Sequence, residues 1–83
     1  MPDRARTTAV VREILVGAWP LRFAEHPLPD DVLVGSGGLG LDSIDTVEFL
    51  LACEDRLGGR STEELLAAGP LRLGAVIDHF ARP

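Results

Sequence analysis

Residues 42–57 read Asp-Ser-Ile-Asp-Thr-Val-Glu-Phe-Leu-Leu-Ala-Cys-Glu-Asp-Arg-Leu, and Gly58-Gly59 follow. At about 100° per residue, Thr46, Phe49, Leu50, Cys53 and Leu57 fall on one side of a helix. Asp42 is a good N-cap, because its carboxylate can accept a bond from an amide of the first turn; Asp45 lies near the positive end of the helix dipole. The glycine pair supplies the stop. Ile44, Val47 and Leu51 form a second apolar stripe, well away from the first. Asp45, Glu48 and Asp55 lie on the arc beyond it, with Glu54 on its other flank. An apolar centre with a charged rim has the make-up of a contact surface. A helix at the middle of a bundle, with both stripes buried, would read the same way.

Working outward toward the N-terminus, residues 7–18 place Val10, Val11, Ile14, Leu15 and Ala18 on one helical face. Thr7, or Asp3 upstream, can cap this first helix, and Pro20 stops it. Residues 20–41 carry three prolines and four glycines with no clear period, which predicts a long loop. Phe23, Leu28, Val32, Leu33 and Leu39 are its candidate pins into the core, with a short strand or helical turn at 30–34. Toward the C-terminus, Ser61 and Glu64 form a capping box that opens a short helix over about 62–68. Leu73, Val76, Ile77 and Phe80 give the core stripe of a last helix over about 72–81. Gly74 inside it costs about 1 kcal/mol relative to Ala, so it marks a close approach. The sum is all-α: a small three- to four-helix bundle with a long loop between the first and second helices.

The chain has 83 residues, enough for a single domain over 1–83. Thirteen acids against eight bases, all of them Arg, give a net charge of −5. The acidity is concentrated in residues 30–64, which hold nine acids and two Arg. A nucleic-acid footprint is therefore not expected, and a basic partner is favoured; the plainer reading is a solvated acidic face. One cysteine, Cys53, permits no internal disulfide. It falls on the core stripe and reads as a small buried hydrophobe. No apolar run approaches the roughly 18 residues of a membrane span, and the start of the chain lacks a secretory h-region. These features predict a cytoplasmic monomer without membrane contact. His26 and His79 have no partners at metal-ligand spacing, and no acid–base constellation points to catalysis.

Ser43 stands one residue after the N-cap. A phosphate ester there would meet unsatisfied backbone amides and the positive helix end; a plain helix-start serine is the alternative. The stretch Leu39-Gly-Leu-Asp-Ser-Ile-Asp-Thr-Val-Glu-Phe49 resembles the signature of acyl carrier proteins. In that family an Asp-Ser-Leu/Ile/Met core opens the second helix. The resemblance extends to the order of elements, the length and the acidity. It implies that Ser43, next to Asp42, carries 4′-phosphopantetheine from coenzyme A, attached by a phosphopantetheinyl transferase. The arm's thiol would hold acyl, aminoacyl or aryl intermediates as thioesters. A loading ligase or acyltransferase and downstream biosynthetic enzymes would be the partners. Asp45 and Glu48, with Ile44, Val47 and Leu51, match the family's docking helix. The chain itself would catalyse nothing and bind no metal.

Three departures set the chain apart. The family often shows Ile-Pro after the second helix, where this chain has Gly58-Gly59-Arg60-Ser61. Arg72-Leu73 replaces the usual Thr-Val before the last helix, so a hydroxyl cap is lost. His79-Phe80 replaces a Tyr-Ile pair. These point to a stand-alone carrier of polyketide or other specialised metabolism. Leu57-Gly-Gly-Arg-Ser-Thr62 is similar to the core of peptidyl carrier proteins, which would move the attachment to Ser61. Too few residues follow it for the rest of such a domain. The rival from a different class is an unmodified acidic module that only binds a partner.

Overall fold

The computed structural model describes residues 4–25, 28–59, 62–67 and 69–81. Among these the order is α1 (Arg4–Ala18), α2 (Pro20–Phe23), α3 (Ser43–Leu57), α4 (Thr62–Ala67) and α5 (Leu73–Ala81). The all-α expectation holds. α1 packs against α2, α3 and α5, and α4 packs on α3. Val11, Ile14, Leu15, Phe49, Leu50, Cys53, Val76, Ile77 and Phe80 meet in one buried cluster. This is the stripe-to-stripe packing that the helical periods predict. Leu57, expected in the core, is half-buried at the end of α3, where only one side of the helix is covered.

α1 begins earlier than its sequence suggested. Thr7 is therefore no cap: it lies one turn inside the helix and is buried. Asp3, the other candidate cap, falls outside the described residues. The helix does end at Ala18, but Pro20 opens a new one instead of starting a loop. Its ring pre-sets the φ of a first helical residue and its missing N–H is no loss there. Phe23 of α2 is buried edge-to-face against the half-buried Trp19, with ring centroids 6.1 Å apart.

Residues 28–42 are irregular but stitched down. Leu33 and Arg72 form an isolated antiparallel bridge. The Val34 amide donates to the Leu71 carbonyl at 2.8 Å, and the Leu73 amide donates to Val32 at 2.9 Å. Gly74 N donates to the Asp30 carbonyl at 2.7 Å. Thus the loop's carbonyls satisfy the first amides of α5, and the hydroxyl cap missing at Arg72 is not needed. A Cβ on Gly74 would come within 2.9 Å of the Asp30 carbonyl oxygen, which explains the glycine. Of the expected pins, Phe23 and Leu39 are buried, while Leu28, Val32 and Leu33 are half-buried. Val34 and Leu41 are buried instead; the ladder bonds around Val34 turn these two inward. Arg4 reaches Asp30 and Asp78 at 2.7 and 2.6 Å, joining α1 to the loop and to α5. Both pairs are exposed, so solvent screens them and they orient more than they stabilise.

Candidate functional site

The site is built where the stitched loop delivers the chain to α3. Arg22 of α2 lies over the Phe23 ring and donates to the Leu39 carbonyl at 2.7 Å. Leu39 and Leu41 are buried on either side of the exposed Gly40, so the strand of chain entering α3 is pinned at two points. Asp42 then caps the helix as expected: its Oδ1 accepts from the Asp45 amide at 2.8 Å, and its carbonyl accepts from Thr46. Ser43 is the first helical residue and is exposed. The Ser43 and Ile44 amides have no intrahelical acceptor at this position, and the helix dipole is positive there.

Beside Ser43 opens an apolar pocket of about 270 Å³, walled by Val34, Leu41, Leu65, Leu66 and Leu71. Asp42 also lines it, with its Oδ1 engaged by the Asp45 amide. The pocket had no signal in the sequence, because its walls come from the loop, α4 and the turn before α5. Along α3 the two stripes part company. Phe49, Leu50 and Cys53 face inward, whereas Ile44 and Leu51 are exposed and Val47 is half-buried. The reading of both stripes as core is thereby removed. Glu48, Asp55 and Asp42 are exposed around the outer stripe. Asp45 departs from its expected exposure and is half-buried, since the Asp42 side chain bound to its amide covers part of it.

Val47 and Leu51 also line a groove of about 530 Å³ between α3 and α4, together with Glu54, Thr62, Glu63 and Leu66. Here α4 is fastened in a way the sequence did not announce. One carboxylate oxygen of Glu54 accepts from the Thr62 amide at 2.8 Å and from its hydroxyl at 2.7 Å. Ser61, half of the expected capping box and the alternative attachment residue, lies outside the described residues, as does His26. His79 is half-buried edge-to-face against Phe80. Burial, and then the neighbouring Glu54 charge, push the Cys53 thiol up to about 12. Among the described residues no cluster of three metal-ligating side chains occurs, and no helix is long and apolar enough to cross a membrane. Comparison with protein-family models, curated proteins and solved structures returns no match.

Proposed function

We propose that this chain is a carrier protein of the acyl-carrier type, with Ser43 as the attachment point for 4′-phosphopantetheine. The observation that carries the proposal is the setting of Ser43: an exposed hydroxyl on the first turn of a capped helix, at the lip of an apolar pocket. The residues fit the group. An anionic phosphodiester is favoured at this helix end by the dipole and the unsatisfied amides. Asp42 fixes the turn and so holds Ser43 at the surface. Asp42, the carboxylate at the pocket, is engaged in capping the helix, and a separate transferase would activate the hydroxyl. When attached, the arm supplies a thiol that holds acyl, aminoacyl or aryl cargo as a thioester.

The outer face of α3 is the surface we assign to partner enzymes. Ile44, Val47 and Leu51 offer apolar contact, and Asp42, Asp45 and Glu48 supply the charge that steers a basic partner. The departures at Gly58-Gly59, Arg72 and His79 favour a stand-alone carrier in specialised metabolism. An unmodified acidic interaction module would use the same outer face but leave Ser43 bare. Incubation of the purified chain with coenzyme A and a broad-specificity phosphopantetheinyl transferase separates the two. The intact mass should rise by one phosphopantetheine; a mass that stays unchanged while a control carrier is modified would overturn the proposal.

A further inference from the structure

α4 is six residues long, too short to persist without tertiary support. Its inner side is anchored by Leu65, 6% exposed, and its first residue by the two bonds from Thr62 to Glu54. Both bonds are short and go to a carboxylate, the stronger class of hydrogen bond. Its flanks carry glycines with positive φ: Gly58 at 87° and Gly59 at 91° on one side, Gly69 at 91° on the other. In these turns the backbone is bent where side-chain-bearing residues are strained.

The position of α4 matters because of what lies on either side of it. Leu66, 42% exposed, lines both the pocket beside Ser43 and the groove under Val47 and Leu51. One short helix is thus the partition between the two spaces. Glu54 and Thr62 both line the groove, so the fastening sits on the side facing the acidic surface.

We propose that Glu54 and Thr62 form a latch that holds α4 down as this partition, and that its release joins the pocket beside Ser43 to the groove on the outer face of α3. Its consequence for cargo rests on the reading of Ser43 as the attachment point; the latch itself does not. A partner bound over Val47 and Leu51 would be next to the latch and could bias it. Glu54 is therefore a positioning residue that acts through α4.

Native-state hydrogen exchange on the full, unmodified chain tests the latch. Glu54→Gln weakens the acceptor, and Thr62→Val removes the hydroxyl bond while keeping the amide bond. In both variants the α4 amides should exchange about tenfold faster or more, as expected when a bond to a charged group is lost. The α1 and α5 amides should stay within about twofold of the parent, because local opening does not require global unfolding. Thr62→Ser, which keeps the hydroxyl, should restore protection. If α1, α4 and α5 accelerate together, Glu54 merely supports global stability and the latch is refuted; unchanged α4 exchange in Thr62→Val refutes it equally. Since exchange is read without modification, a latch that opens in a chain that no transferase can modify would uphold this inference while removing the one for Ser43.

Discussion

Phe49, Leu50 and Cys53 are at most 1% exposed, whereas Ile44 and Leu51 of the same helix are 69% and 50% exposed. Both sets are apolar, both recur at helical spacing, and both lie within one 15-residue element. What separates them is the neighbourhood. α1 and α5 close over the first set, while α4 is too short to cover the second. Periodicity tells how many faces a helix has; the supply of other helices decides which of them is core. An apolar face left over, ringed by carboxylates, is then free for a second molecule.

Truncation of the inner face should have the largest effect. Phe49→Ala should lower stability by about 3–5 kcal/mol, most or all of what a domain of this size possesses. Chemical denaturation of the variant would measure it, and a loss under 1 kcal/mol would put Phe49 outside the core.

Charge reversal on the outer face comes next. Glu48→Arg should leave folding almost untouched, because exposed charges contribute little. At a docking surface it replaces attraction by repulsion, which can cost several kcal/mol. The initial rate of phosphopantetheine transfer should drop sharply at low salt and recover toward the parent's at about 1 M, where screening acts within roughly 3 Å. Equal rates for variant and parent at low salt would move the docking surface elsewhere.

The inner face makes a prediction of its own. With no Lys and no Tyr in the chain, Cys53 is the one side chain titrating between pH 9 and 12. Its thiol is raised from an ordinary 9.0 to about 12 by burial, and then by Glu54. A raised folded value means that the unfolded chain releases its proton first. The stabilising contribution is therefore complete below pH 9 and is lost as pH rises toward 12. Stability should fall by at most about 1.4 kcal/mol per pH unit across that window, and the fall should vanish in Cys53→Ala. A parent whose stability is flat from pH 9 to 12 would show Cys53 to be solvated. The smallest effect belongs to Leu51→Ala, which should change stability by no more than about 0.5 kcal/mol, as surface substitutions do.

Much of this architecture was legible because its signals are local. The Asp42 cap, the Gly58 stop and the core stripes of α1, α3 and α5 each lie within a few turns of sequence; the cap and stop appear where expected, and the stripes are buried except that Ala18 is exposed and Val10, Thr46 and Leu57 are half-buried. What escaped the sequence is non-local. The Leu33–Arg72 bridge and the loop carbonyls that cap α5 join residues about 40 apart. The burial of Val34 and Leu41 follows from that stitching, not from any period. The Glu54–Thr62 fastening spans a chain reversal, although a carboxylate one turn before Gly58-Gly59 and a threonine just after them were its visible parts. At the site, Asp42 and Ser43 could be read from order alone, while the pocket beside them needed α4 and residues 69–71 brought into place.

Ser43, and no other hydroxyl, is the proposed recipient of the prosthetic arm. The most direct test compares intact masses of Ser43→Ala and Ser61→Ala after incubation with coenzyme A and the transferase. Far-ultraviolet circular dichroism should show that both variants stay helical, since Asp42 still caps α3 in the first. Full modification of Ser61→Ala and none of Ser43→Ala is expected. Modification of Ser43→Ala, with Ser61→Ala left bare, would contradict it.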